Sequence, residues 1–431
     1  MTSVSQNNVN RRLLVETSAA AVRPETRVDI AVLVSALFLQ RFTLPFGDTF
    51  LHLDLVAIGF ILLYQFFSGK LLIQHDRLLW FLALGLAATC SLLLNFKSTM
   101  LTGYSLFMVF YSLFTLSRPS TSDQYNRTLQ AFQFLVMLLS LLGVAQFFAQ
   151  FVVDGKELIN FYGIVPDFLT SDPSSGWWWN PRNFGEGNIS TGIIKSTGLF
   201  LIEPSILGQI TALGILVEIL IFRRPRYLLV LALGFLVAYS GTGLLLLLIF
   251  LPLAGLRHGE AGLSALLVVM FALGLVATGI IDLSAFTSRV DEYEQMGGSA
   301  FIRFVAPMWL AIKQLDTGSL QALVVGSGPG MAKTFSEKWY GGGSLASWFK
   351  LFYEYGIIGS FIFCCFSASC LRRSRCPGLV VAAIIFGFLF LQMSMTITIP
   401  LCTLSGPEPR RRRIDEASRY GPSLVSGSAA G

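Results

Sequence analysis

The chain has 431 residues, of which 54% are hydrophobic and 13% charged, about half the charged share of an ordinary soluble domain. With a mean hydropathy of +0.66 and apolar runs recurring from end to end, it excludes a soluble globular enzyme and reads as a polytopic membrane protein. The formal charge of +6 is topological and excludes nucleic acid as the partner, because the Lys and Arg residues gather in alternate loops rather than on one face.

Each apolar run is long enough to cross a hydrocarbon core of roughly 30 Å as a helix, the form that satisfies the backbone internally in lipid. Spans are expected over 28–45, 51–68, 78–94, 100–116, 131–153, 205–222, 227–242, 243–256, 264–283, 352–370 and 378–401. One set of short loops, with the N-terminal arm, carries Arg11, Arg12, Arg23, Arg27, Lys70, Arg77, Arg118, Arg127, Arg223, Arg224, Arg226, Arg257, Arg372, Arg373 and Arg375; the other short loops carry only Arg41 and Lys97. The positive-inside rule therefore places the N-terminus in the cytoplasm and the long loops 154–200 and 284–350 outside. Residues 1–27 read as a mobile cytoplasmic arm, 28–401 as the membrane domain and 402–431 as a polar, disordered tail. The first residues lack the apolar core of a cleaved signal peptide. Eleven spans put the tail outside, yet Arg410 to Arg413 carry a cytoplasmic signature. Either a boundary is misplaced, one run splits into a short pair, or the tail is atypical. The cysteines lie in or beside spans and none in the long loops, so no disulfide framework or zinc spacing is expected.

Taken in order, His52 and Asp54 sit near the outward end of the second span and read as interfacial. In the first long loop, Trp177, Trp178 and Trp179 either anchor at the membrane interface or stack on sugar faces. At Glu203-Pro204-Ser205 the chain re-enters the membrane. Pro204 suits the first turn of a helix, and a carboxylate there gains from the helix dipole, so Glu203 is either a cap or a catalytic group. The small residues of YSGTG, Tyr239 to Gly243, read first as helix packing and second as the lining of a polar cavity.

In the second long loop, Ser299 can cap a helix beginning at Ala300, which Pro307 would kink. Arg303 lies among Phe301, Ile302 and Phe304, a setting that demands an anionic partner. Arg289 lies beside Asp291, Glu292 and Glu294 and either pairs with them or serves a site. Gly326-Ser327-Gly328-Pro329-Gly330 lacks the ending of a P-loop and the strand of a dinucleotide fold; it reads as a tight turn whose amides could form an anion nest.

Both long loops close in the same way, with Lys195, Phe200 and Glu203 in one and Lys350, Phe352 and Glu354 in the other. Cations beside carboxylates at a membrane surface suit a lipid-linked phosphate substrate and an attacking hydroxyl: the cations hold the diphosphate charge and a carboxylate accepts the proton. His52, His75 and His258 all lie elsewhere, so a histidine triad or metal cluster in these loops is excluded, and no cofactor is expected.

Together KSTGLFLIEPSILGQ, the Arg289–Arg303 loop, VVGSGPG and SWFKLFYEYGIIGSF resemble the Wzy-type polysaccharide polymerases and related O-antigen ligases. The Glu-Pro-Ser and Glu-Tyr-Gly-Ile-Ile-Gly segments resemble exopolysaccharide polymerases of the xanthan type, and the likeness covers Lys195 to Ser360. It implies an all-α polytopic transmembrane helical bundle of about 11–12 spans, GT-C-like, in the bacterial inner membrane. The implied activity is that of an inverting, metal-independent glycosyltransferase joining undecaprenyl-diphosphate-linked oligosaccharide repeats at the periplasmic face. A flippase and the chain-length and export proteins of the same route are implied partners. Carried over by position, Arg289 and Arg303 would bind diphosphate, while Glu203 and Glu354 are the candidate catalytic carboxylates. Lys195, Trp178, Lys350 and Tyr353 are candidate substrate-binding residues. Lys195 stands where relatives often carry arginine, keeping charge without the bidentate fork. Many ligases place a histidine just before the span of Glu354, and Gly343 to Ser347 offers none, which favours polymerase over ligase. A transporter or flippase of lipid-linked sugars would keep its charges near the bilayer midplane or in repeated halves; Glu218, the main charge inside a span, lies near the cytoplasmic end.

Overall fold

A computed structural model describes residues 24–46, 49–97, 100–152, 195–258, 301–340 and 345–406, apart from 373, 392 and 394. The expected N-terminal arm up to residue 23, Trp177 to Trp179, the span over 264–283, Arg289 and the tail from residue 407 lie outside the described residues.

Among the described residues the fold is all-α, with helix at 79% and strand at 4%. Four helices among the described residues are long and apolar enough to cross a membrane: His75–Leu94, Ser122–Ala149, Pro204–Phe222 and Ser347–Leu371. Shorter apolar helices accompany them, and side chains such as Phe60, Phe67, Leu86, Leu93 and Phe361 face outward from the bundle. An apolar surface this extensive would aggregate in water and is at home in lipid.

In chain order, α1 (Pro24–Phe38) leads into an antiparallel hairpin of β1 (Thr43–Phe46) and β2 (Thr49–His52), then α2 (Leu53–Phe67). β3 (Leu72–Ile73), α3 (His75–Leu94), α4 (Met100–Ser112), β4 (Leu116–Pro119) and α5 (Ser122–Ala149) follow. The α5 helix begins well before its apolar run because Thr121 and Gln124 form a capping box: Gln124 N donates to Thr121 Oγ1 at 3.2 Å and Thr121 N to Gln124 Oε1 at 2.9 Å. Its 28 residues reach about 42 Å, so its ends lie on opposite sides of the bundle.

After the first long loop come α6 (Pro204–Val217), which ends in a π turn over Glu218–Phe222, α7 (Pro225–Ala238) and α8 (Gly241–His258). Nearly every residue of α6 is buried, so α6 is the axis about which α5, α7, α8 and a later helix pack. The YSGTG turn between α7 and α8 is where helices meet closely: a Cβ on Gly243 would run into the backbone of Gly208. Gln209 Nε2 donates to Thr242 Oγ1 at 3.0 Å and to Leu391 O at 2.9 Å. The small residues thus serve packing. At the other end of α6, Glu218 is taken up by the next connection: Arg224 donates to it from Nε and Nη2, both at 2.9 Å, and from its backbone amide at 2.8 Å.

A π turn over Phe301–Val305 precedes α9 (Ala306–Thr317), followed by α10 (Leu320–Val325), α11 (Met331–Tyr340), α12 (Ser347–Leu371) and α13 (Gly378–Leu391). Pro307 stands in the first turn of α9, directly after the π turn, where a proline lacking an amide is tolerated; the expected cap Ser299 and helix start Ala300 lie outside the described residues. Leu310, Ala332, Leu345, Phe349 and Tyr353 form a small satellite core that seats α9 and α11 on the start of α12.

The run expected as one span over 378–401 is two pieces. The α13 helix stops at Leu391, and a 3₁₀ turn (Met395–Ile397) and a π turn (Ile399–Thr403) carry the chain back to β5 (Ser405–Gly406). β5 pairs in parallel with β4, and β3 pairs antiparallel with β4. Arg77 Nη1 donates to the carbonyls of Phe114 at 3.2 Å, Leu116 at 3.3 Å and Thr403 at 2.9 Å, satisfying irregular backbone at this end. Arg118 pairs with Asp29 at the start of α1. Gly406 therefore lies at the same end of the bundle as the start of α1 and the arginine-rich loops. Hydropathy does not register a reversal when both arms are apolar.

Candidate active site

At the opposite end of the bundle, residues 196–203 form an irregular strap between Lys195, half-buried, and α6. The strap turns at Gly198 and Leu199, with φ of 66° and 67°; glycine adopts that conformation freely, whereas leucine is strained there by about 1–2 kcal/mol. Beyond the turn, Leu201 is fully buried, and Glu203 is extended at the N-cap position, with Pro204 beginning the helix.

Glu203 holds the N-cap position with its backbone alone, since its side chain makes no capping hydrogen bond. Its Oε2 instead accepts from Ser205 Oγ at 2.7 Å and from Arg303 Nη2 at 2.7 Å. Arg303 Nη2 also donates to Ser205 Oγ at 3.3 Å. Arg303 projects from the π turn before α9, a widened turn of the kind frequent at functional sites. The anion that its apolar setting demanded is Glu203, from the other long loop. The pair stays accessible, with side-chain exposures of 13% for Arg303 and 34% for Glu203.

Glu354 occupies a different setting. The α12 helix breaks at Gly356, where φ is 67° and ψ −170°, freeing the carbonyls before it. Ser327 N donates to Tyr353 O at 2.9 Å and Gly328 N to Glu354 O at 3.1 Å, while Ser91 Oγ donates to Glu354 O at 2.7 Å. The two glycines fit each other: a Cβ on Gly326 would strike Glu354 O, and one on Gly356 would strike Val324 O. The Glu354 side chain is buried. Its carboxylate lies near the backbone amides of Gly330 and Ala332 at the start of α11, with the charge of Lys350 one turn back, and its Oε1 has no hydrogen-bond partner among the described residues. The amides of Ser327 and Gly328, which made the glycine turn a candidate anion nest, thus donate to the chain's own carbonyls at Tyr353 and Glu354.

Tyr353 packs in the satellite core, stacked on Phe335 with ring centroids 4.5 Å apart, and Lys350 is exposed one turn earlier on α12. Trp178 and Arg289 lie outside the described residues. Of the expected site residues, the structure joins Glu203 with Arg303 directly and gathers Lys350, Tyr353 and Glu354 on the first turns of α12. Ser205 belongs to the same Glu-Pro-Ser triplet, and its place two residues after an N-cap carboxylate is the local signal that brings the hydroxyl back to that carboxylate. Among the described residues, no group of three or more His, Cys, Asp and Glu side chains could hold a metal ion.

The family model described as WcaD colanic acid polymerase matches residues 28–400, from α1 to the return after α13. No curated protein and no solved structure matches the chain.

Proposed function

The chain belongs to the WcaD colanic acid polymerase family, and from that premise we propose that Glu203 and Arg303 form the centre at which one lipid-linked oligosaccharide is joined to another. As a member it is a Wzy-type polysaccharide polymerase of the membrane, glycosyltransferase-like, with a lipid-linked oligosaccharide as substrate. The observation that carries the finer reading is the 2.7 Å contact between Glu203 Oε2 and Arg303 Nη2 at the end of the bundle away from the arginine-rich loops.

In the proposed step, an acceptor hydroxyl oxygen attacks the anomeric carbon of the donor sugar. The bond from that carbon to the diphosphate oxygen breaks, and its electron pair leaves with the diphosphate. The hydroxyl proton passes to Glu203. Protonation discharges Glu203 and releases Arg303 from its ion pair just as the leaving diphosphate gains charge, so the guanidinium stabilises the product side of the reaction. A single displacement inverts the anomeric centre. The leaving charge is met by Arg303 and by Arg289 of the same loop, which supports a metal-independent reaction. Glu354, buried on amides, acts by positioning Tyr353, Lys350 and the glycine turn.

The donor is read as an undecaprenyl-diphosphate-linked repeat, and the reaction face as the periplasmic side of the bacterial inner membrane. The asymmetry of Lys and Arg supports that orientation, with the N-terminus cytoplasmic. The lack of histidine between Gly343 and Ser347 favours polymerase over ligase, and the likeness to xanthan-type enzymes favours an exopolysaccharide product. A flippase and chain-length and export proteins are the partners such a route requires. Pairing of Glu218 with Arg224 leaves no isolated charge at that point for a transported substrate.

The test is the product profile of Arg303→Ala in a producing cell, with membrane expression controlled. The expected result is lipid-linked single repeats at the outer face without polymer. Normal polymer would remove Arg303 from the mechanism, and repeats held at the cytoplasmic face would point to a flippase.

A further inference from the structure

The strap that delivers Glu203 is buried yet irregular: Ser196, Thr197 and Leu201 are fully buried, so its polar backbone groups need partners from elsewhere in the fold. Two side chains supply them from different elements. Gln146, in the last turn of α5, accepts at Oε1 from Ser196 Oγ at 2.8 Å, from Thr197 N at 3.0 Å and from Leu199 N at 3.3 Å. Arg41, in the connection between α1 and β1, donates from Nε to Leu201 O at 2.6 Å and from Nη2 to Thr197 Oγ1 at 2.7 Å.

Arg41 is only 2% exposed, and it donates to a carbonyl and a hydroxyl, both uncharged. Its Nη1 is buried with no hydrogen-bond partner among the described residues. Burying a guanidinium on neutral acceptors is costly, and what it holds is distinctive. Thr197 and Leu201 bracket the turn at Gly198 and Leu199, and Leu201 is two residues before Glu203. A left-handed leucine persists only when its surroundings over-determine it; Gln146 grips the amide side of the turn and Arg41 the carbonyl side.

We propose that Arg41 is a positioning residue for the polymerisation reaction, acting with Gln146 to lock the strap so that the Glu203 carboxylate faces Arg303 instead of capping α6. The inference rests on the catalytic role of Glu203 proposed above. Arg41 touches no reacting atom in this scheme; it acts through Glu203.

The test compares Arg41→Gln, Arg41→Lys, Glu203→Gln and the double variant Arg41→Gln/Glu203→Gln of the full chain in proteoliposomes. The probe is lipid-linked oligosaccharide extracted from a producing strain that lacks the polymerase. Loss of 1 Å in alignment costs a reaction up to about a hundredfold, so Arg41→Gln is expected to lower kcat by about tenfold to a hundredfold with KM within about twofold, the mark of an interaction lost in the transition state. Arg41→Lys is expected to restore part of kcat, since an ammonium can reach one acceptor but lacks the fork. In the Glu203→Gln background, Arg41→Gln should add no further loss.

A raised KM with unchanged kcat, or a full additional loss in the Glu203→Gln background, would overturn the positioning role. Where Arg41→Gln yields no folded protein, kcat and KM of Arg41→Lys decide by the same criteria, with wild-type kcat counting against the proposal. Full activity of Glu203→Gln would instead remove the catalytic reading on which the inference rests.

Discussion

Arg303 Nη2 and Glu203 Oε2 lie 2.7 Å apart although 100 residues separate them in the chain. Each comes from an irregular segment at the mouth of a helix, Glu203 before α6 and Arg303 before α9, and Ser205 Oγ bridges them. Gln in place of Glu203 keeps a polar oxygen for Arg303, whose side chain is only 13% exposed, so this isosteric change tests the charge with less effect on stability than truncation would have.

Glu203→Gln is therefore expected to leave membrane expression and thermal unfolding close to wild type while lowering turnover by about 10²–10⁴-fold, the range of a lost general base. Ser205→Ala, which removes a hydroxyl contact rather than a charge, should cost about tenfold or less. The measurement is polymer formed per unit of membrane protein; equal losses for the two variants would contradict the division of roles.

For Glu354→Gln the expectation is reversed in emphasis. Its carboxylate is buried near the amides of Gly330 and Ala332, and disturbing a buried polar group costs about 1–3 kcal/mol. Thermal unfolding in detergent should shift downward, and proteolysis should become faster in α11. An unchanged unfolding temperature with abolished turnover would return Glu354 to the chemistry itself.

Replacing Gly326 or Gly356 by alanine should be more damaging than either carboxylate change. Both residues have positive φ, at 92° and 67°, and both added methyl groups would meet backbone that has no freedom to move aside. Loss of the folded protein from the membrane is the expected readout, and normal expression of both variants would show that the glycine turn is not locked to the α12 break.

The return after α13 brings Gly406 to the end of the bundle where α1 begins. Because Gly406 pairs with Pro119 beside the Arg118–Asp29 contact, a reporter fused after the last residue should report the same membrane side as one fused at the N-terminus. Opposite sides would mean that 378–401 crosses once.

Much of this arrangement is written locally. Apolar run length identifies the helices, Pro204 marks the start of α6, and the Thr121–Gln124 capping box sets the start of α5 ahead of its apolar stretch. The need of Arg303 for an anion was equally legible, because a cation among Phe301, Ile302 and Phe304 cannot stand alone in apolar surroundings. Which anion answers it was not, since Asp291, Glu292 and Glu294 are far nearer in sequence than Glu203.

By itself, the sequence determined the class of protein, the helical segments, the family likeness and the short list of carboxylates and cations at the mouths of helices. Only the tertiary structure decided how those groups are shared out. Glu203 and Glu354 follow the same local pattern, a lysine and an aromatic before a carboxylate at a helix mouth, yet one side chain turns to Arg303 and stays a third exposed while the other is enclosed by a glycine turn. The same holds for 378–401, where two apolar arms look like one span until Arg77 and β4 receive the returning end. The physical reason is common to both cases. Leaving water depends on the composition of a segment and can be read along one dimension, whereas the partner of a buried charge or a free carbonyl is whatever the packing of distant segments brings within about 3 Å.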